Sequence, residues 1–262
     1  MPTRPETNPA NETNPASDTN AAQDAVFASP VTEATRERRA VFASTGSRFY
    51  PTILALMGLV FVLSNIGASK GVELFGLVTD GGFFLFPLAY ILGDVVSEVY
   101  GWKASRRAII TTFIFGALAV LTFQAIIALP AASFYEGQEA LAATLGPVWQ
   151  IVLASLLGFM AGQLSNALII VWLKRRHGER GLLLRILGSS GVGEALDTLI
   201  FCSIAAPVIG IDSFGVFLQY FVIGFCWKLG VEVVFSPVTV VVIKLVKRYE
   251  PSYPKNNDVT AA

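Results

Sequence analysis

FPLAYILGDVVSEVYG, residues 86–101, and GVGEALDTLIFCSIA, residues 191–205, decide the fold. Each run is apolar enough to lie in a membrane, yet each carries two acids about one helical turn apart: Asp94 with Glu98, and Glu194 with Asp197. A charged side chain at mid-bilayer costs roughly 2.5–3.5 kcal/mol on insertion scales. Four such carboxylates therefore face a protein interior, a water-filled cavity or a ligand. The chain is expected to be a membrane protein with a polar centre, of the kind a transported solute would occupy.

Composition agrees. Of 262 residues, 53% are hydrophobic and 15% charged, and the mean hydropathy is +0.60, whereas an average soluble domain is nearer ~25% charged. Lys plus Arg and Asp plus Glu both number 19, so there is no general basic surface on which to base nucleic-acid binding. Cys202 and Cys226 stand in different apolar runs and form no CxxC, so they read as small hydrophobes. The sole histidine, His177, lies in the polar stretch LKRRHGER and reads as a solvated loop residue.

Residues 1–45 are rich in Asn, Thr, Pro, Ala and Glu and are expected to be a disordered polar tail. That tail lacks the basic stretch and apolar core of a signal peptide. A membrane domain is expected over 46–249, followed by a flexible tail over 250–262. Within the domain, hydropathy marks six spans at about 49–66, 82–101, 107–129, 147–173, 188–209 and 215–246, each near or above the ~20 residues a crossing helix needs. The fold class is thus all-α and polytopic. The last span is long enough to need tilt, extension, or a break near Ser236-Pro237. Residues 71–81 are too few to cross and are expected to form an interfacial connector.

Basic residues set the orientation. Arg36, Arg38, Arg39 and Arg48 precede the first span; Lys103, Arg106 and Arg107 follow the second. Lys174, Arg175, Arg176, Arg180 and Arg185 follow the fourth, and Lys244, Lys247, Arg248 and Lys255 close the chain. The opposite side holds Lys70 among several acids. The positive-inside rule then places both termini in the cytoplasm, which an even number of spans requires.

Two carboxylates one turn apart repel, so at least one of each pair should be protonated, hydrogen-bonded or matched by a cation. The cations at suitable depth are Lys228, Arg106 and Arg185, although Glu232, one turn beyond Lys228, is an alternative partner for it. Asn65, Gln163 and Asn166 add amides; singly, such residues serve more often as interhelical glue. Phe84 and Tyr90, near Asp94, are packing residues first and stacking candidates second. Gly158 and Gly162 suggest close helix packing. Leu63-Ser64-Asn65 recurs as Leu164-Ser165-Asn166, and Gly93-Asp94 as Gly193-Glu194, a weak indication of two inverted three-span halves. No P-loop, GxSxG or HExxH pattern occurs, which argues against nucleotide hydrolysis by this chain and against serine or zinc hydrolysis.

The run 86–101 with the following WKASRRAI closely resembles the signature of the queuosine precursor transporter family, also grouped as vitamin uptake transporters. RILGSSGVGEALDTLIFCSIA (185–205) and WKLGVEVVFSPVTVVVIKLVKR (227–248) resemble the same family, and together the likeness covers about residues 48–248. It implies a six-helix inner-membrane importer of 7-deazaguanine bases such as preQ0 and preQ1 for tRNA queuosine salvage, not an enzyme, with no cofactor or metal and no nucleic acid bound directly. A guanine-like ring presents two adjacent donors that a carboxylate accepts in bidentate fashion. Asn65, Asp94, Glu98, Asn166, Glu194 and Asp197 are therefore the candidate substrate-binding residues, with Phe84, Tyr90, Gln163, Lys228 and Glu232 in support. The partners expected are the base and membrane lipid, with a homo-oligomer left open. Two alternatives come from other classes. One is a substrate-binding subunit of an ATP-driven uptake system; the other is an intramembrane enzyme using Asp94 and Glu98 as Mg²⁺ ligands, although no DxxxD array repeats around them.

Overall fold

The computed structural model describes residues 40–47, 49–74, 77–146, 149–207 and 211–254; the side chains of 71, 74, 77–80, 83, 84, 86, 87 and 149–151 are outside that description. The tail expected over 1–45 lies outside it as far as residue 39.

The chain is an all-α membrane protein. Its elements are α1 (Phe49–Gly67), a two-stranded antiparallel hairpin of β1 (Gly71–Leu74) and β2 (Leu77–Asp80), and a short 3₁₀ turn (Gly81–Phe84). There follow α2 (Phe86–Ala128), α3 (Gln138–Leu145), α4 (Trp149–His177), α5 (Leu182–Ala205) and α6 (Phe214–Tyr249). The connector expected over 71–81 is thus a hairpin, with Gly71 opposite Asp80 and Leu74 opposite Leu77.

Helices form because apolar runs in lipid must satisfy every backbone N–H and C=O within the segment. Among the described residues, four helical stretches are long and apolar enough to cross a membrane: Phe49–Gly67, Leu88–Ala128, Val152–His177 and Phe214–Tyr249. The 24-residue α5 is long enough, at ~36 Å, but its composition is diluted by Arg185, Glu194 and Asp197. α2 is interrupted at Gly101, whose φ of 77° and ψ of −178° lie outside helical space. Only glycine adopts that conformation without strain, and a Cβ there would also sit 3.0 Å from the Phe42 ring. The Val99 carbonyl beside this break accepts a hydrogen bond from the Ala43 N–H at 2.8 Å. Pro237 lies inside α6, which continues as helix past it.

The polarity pattern is inverted relative to a soluble bundle. Leu121, Val234 and Phe214 project outward from α2 and α6, whereas Asp94, Glu98, Asn166 and Lys174 are buried. An apolar core of Met57, Phe61, Val95, Val99, Ile109 and Phe159 packs α1, α2 and α4 together. The most extensive helix contact is between α4 and α5. Its closeness has a local cause: a Cβ on Gly162 would lie 2.8 Å from the Gly193 carbonyl oxygen, and one on Gly193 would lie 2.8 Å from that of Gly162. The small-residue spacing of α4 is a packing device, and it presses α5, with Glu194 and Asp197, against the bundle centre.

Candidate functional site

The polar interior divides into two levels. The upper level is a cavity of about 300 Å³ whose walls include Phe61, Ser64 and Asn65 of α1, Tyr90 of α2, Phe159 of α4, and Glu194 and Asp197 of α5, with Tyr220, Trp227, Lys228 and Glu232 of α6. These positions fall late in α1, early in α2 and from the start to the middle of α6, so the cavity lies toward the hairpin end of the bundle. Lys228 Nζ donates to Asp197 Oδ2 at 2.6 Å and stands 3.8 Å from Glu194 Oε2. Tyr90 Oη also donates to Asp197 Oδ2, at 3.1 Å. Glu232 Oε1 accepts from Ser190 Oγ at 3.1 Å. Glu194 Oε2 is buried without a hydrogen-bond partner among the described residues. Phe61 and Phe159 pack ring to ring at 4.3 Å on the same wall. An adjoining apolar space of about 150 Å³ shares Phe61, Asn65, Ala68 and Ser155 with the cavity.

Three acids and one lysine on the cavity wall leave a surplus of acidic groups. Such a wall favours a ligand that brings hydrogen-bond donors or positive charge, because unpaired acceptors in a low-dielectric site are costly. Lys228 thus holds Asp197 in place and stands within ion-pair distance of Glu194.

The lower level is an ion network around Glu98. Arg185 grips that carboxylate with Nη2 at 2.8 Å from Oε1 and Nε at 3.0 Å from Oε2. Lys247 Nζ donates to Oε1 at 2.7 Å, and Lys174 Nζ donates to the Glu98 backbone carbonyl at 2.6 Å while lying 3.5 Å from Oε1. Glu179, in the turn between α4 and α5, pairs with both Lys174 and Lys247 and accepts from Tyr253 Oη at 2.8 Å. Burial alone would raise the Glu179 carboxyl, but the two lysines and the hydrogen bonds from Lys247 and Tyr253 outweigh it and hold it at about 2. The Tyr253 hydroxyl is pushed up by burial and by the neighbouring Glu179 charge. Nearby, Glu250 accepts from Ser47 and Tyr100, both at 2.6 Å, tying the segment before α1 and the segment after α6 to α2.

The expected residues are thus distributed. Asn65, Tyr90, Glu194, Asp197, Lys228 and Glu232 share the cavity wall. Glu98 does not: expected beside the substrate, it is saturated by Arg185, Lys247 and Lys174 one helical turn below Asp94. Asp94 is absent from the cavity wall and accepts from Asn166 Nδ2 at 2.7 Å. Gln163 is buried against Gly93, with Nε2 unpartnered. The Phe84 side chain lies outside the described residues. Of the candidate cations, Lys228 serves the second acid pair through Asp197 rather than Glu232, Arg185 serves the first, and Arg106 is exposed. Sequence reasoning missed Phe61, Phe159, Tyr220 and Trp227; in apolar helices an aromatic at a cavity is indistinguishable from one facing lipid. The one available signal was Trp227, adjacent to Lys228.

The family described as vitamin uptake transporters matches residues 80–242, more than half of the chain. The chain belongs to that family. Its members are transporters, and the apolar helices make this chain a multi-pass membrane protein. A protein of Bacillus subtilis (strain 168) named "Probable queuosine precursor transporter" is 30% identical over 199 residues, covering 75% of this chain and 85% of that protein. The "Queuosine precursor transporter" of Escherichia coli (strain K12) is 27% identical over 182 residues, covering 68% and 78%. No solved structure matches. Of the residues named on the cavity wall and in the network around Glu98, the matched region leaves out Phe61, Ser64 and Asn65, in α1, and Lys247 and Tyr253, at the far end.

Proposed function

We propose that the chain imports 7-deazaguanine precursors of queuosine, preQ0 and preQ1, across the cell's inner or plasma membrane, with six spans and both termini in the cytoplasm. The six-span reading rests on two observations. α2, at 43 residues, would be ~64 Å long if straight, about twice a ~30 Å hydrocarbon core, and Gly101 divides it into a shorter first piece, residues 86–100, which the 3₁₀ turn before it extends, and a membrane-length second piece, residues 102–128. α5 carries its polar residues toward the bundle, so low hydropathy does not disqualify it. Lys174, Arg185 and Lys247 all gather at the end away from the cavity, in keeping with that end facing the cytoplasm.

The observation that carries the substrate class is the cavity wall of Glu194, Asp197, Glu232 and Lys228 in a chain related to two queuosine precursor transporters. Its volume of about 300 Å³ is at the small end of the ~300–1,000 Å³ range of ligand pockets, suited to a bicyclic base. Glu194, whose Oε2 accepts no hydrogen bond among the described residues, is the acceptor for the adjacent N1 and N2 donors of the ring in this reading. Asn65 supplies an amide on the same wall, and the Phe61–Phe159 pair offers a ring face. The surplus acids suit the ammonium of an aminomethyl base.

The test is tRNA queuosine in a host that makes no precursor and lacks its own importer, given the bases in the medium. Queuosine that appears only when this chain is expressed supports import and identifies the accepted base. A membrane-inserted protein with no queuosine in the tRNA overturns the reading.

A further inference from the structure

Asp94 and Asn166 are fully buried, on α2 and α4. Asn166 Nδ2 donates to Asp94 Oδ1 at 2.7 Å, while Asp94 Oδ2 and Asn166 Oδ1 have no hydrogen-bond partner among the described residues. Both orphans are acceptors when the acid is ionised, and leaving two buried acceptors empty costs their full desolvation. A carboxylic acid and a primary amide form a closed pair of hydrogen bonds, N–H to one carboxyl oxygen and O–H back to the amide oxygen. One bond of that ring is already present, and the two atoms the other bond needs are the two orphans. A single proton on Oδ2 satisfies both.

The charged surroundings agree. Asp94 feels Glu232 from α6, Glu194 from α5 and Glu98 from its own helix. Glu98 is matched by three cations, whereas Asp94 and Glu232 have no ion pair among the described residues. An ionised Asp94 would thus be a buried charge facing further acids. A sodium ion would require more oxygen ligands than two orphan acceptors supply, whereas a proton requires one acceptor and one donor position.

We propose that Asp94 and Asn166 form a protonated carboxyl–amide pair, and that gain and loss of this proton couples to solute movement. The first clause stands on geometry alone; the second rests on the import reading above. Glu232 lines the cavity and lies within electrostatic reach of Asp94, so it is the next acceptor for a departing proton. Deprotonation leaves two buried acceptor oxygens without a donor at the α2–α4 contact, so one proton biases that interface between a closed and a loosened arrangement.

The test uses the full chain in liposomes. Infrared spectra at neutral pH are expected to show the carbonyl stretch of a protonated carboxyl, shifted in D₂O and absent in Asp94→Asn. That variant retains an amide–amide pair and is expected to fold; should it fail to, Asn166→Ala is expected to shift the same band. A band unchanged in both variants overturns the pair. In transport, Asp94→Asn is expected to keep exchange of labelled aminomethyl base across the membrane, while accumulation driven by an inward acid gradient falls to its gradient-free level. Wild-type accumulation that follows a sodium gradient and ignores pH, or gradient-driven accumulation that survives in Asp94→Asn, overturns the coupling. If the wild type moves no base at all, the import reading and the coupling fail together, and the infrared band still decides the pair.

Discussion

Glu98→Gln separates a structural role for this acid from a role in binding solute. The carboxylate accepts from Arg185 through two nitrogens and from Lys247, with Lys174 at 3.5 Å. Counting Glu98 and Glu179 against Lys174, Arg185 and Lys247 gives a network charge of −2 + 3 = +1. The substitution raises it to +2 with no change in shape, so three buried or half-buried cations keep only Glu179, itself 45% exposed. Removing one partner of a buried ion pair typically costs about 3–5 kcal/mol. The 14% exposure of the Lys247 side chain lets water recover part of that, which points to the lower end, ~3 kcal/mol. This corresponds to a fall of about 100-fold in the folded-to-unfolded ratio. The assay is thermal unfolding of the purified protein in detergent, run beside uptake by surviving folded protein. Glu98→Gln is expected to lower the melting temperature clearly and to leave the apparent KM of folded protein near wild type. Pairing it with Arg185→Leu should recover part of the loss, because the second change removes a stranded charge. An unchanged melting temperature with a raised KM would refute the structural reading and return Glu98 to the solute site.

Three further outcomes follow from the geometry. Glu194→Gln should weaken solute binding by about 10- to 100-fold, the ~1.5–3 kcal/mol of a hydrogen bond to a charged acceptor, with stability near wild type; binding measured in detergent checks it. Gly162→Ala places a Cβ 2.8 Å from the Gly193 carbonyl and should destabilise by about 1–3 kcal/mol, whereas Gly188→Ala, with nothing within 4 Å, should be near neutral in the same melting experiment. Glu179 is held down at about 2 against ~4.3 in an unfolded chain, so its contribution is present above pH ~4.3 and is lost as pH falls toward 2. The melting-temperature gap between wild type and Glu179→Gln should therefore be constant near neutrality and shrink below pH ~4.3; a gap that widens on acidification contradicts the assignment.

How much of this was legible beforehand differs from residue to residue. Asp94 and Glu98 share a helical face by spacing, yet α4, α5 and α6 meet that face differently at each turn: Asn166 arrives at Asp94, and Arg185, Lys174 and Lys247 arrive at Glu98. Sequence spacing reports neighbours along one helix and carries no information on which helix lies opposite. For the same reason Lys228 was equally compatible with Glu232 on its own helix and with Asp197 across the contact; the structure chooses Asp197 at 2.6 Å. Residues 40–45 and 250–254 fall in the expected polar tails, but hydrogen bonds from Ala43 to Val99 and from Ser47 and Tyr100 to Glu250 tie both ends to the bundle.

The sequence by itself determined that the chain belongs in a membrane, where its long helices run, that acids lie within them, and which family it resembles, because hydropathy and local motifs are properties of contiguous residues. Only the tertiary structure decided which of those acids line the cavity and which are locked in an ion network. That division depends on contacts between residues as far apart as Glu98 and Lys247, and burial and charge compensation arise only when separate helices pack.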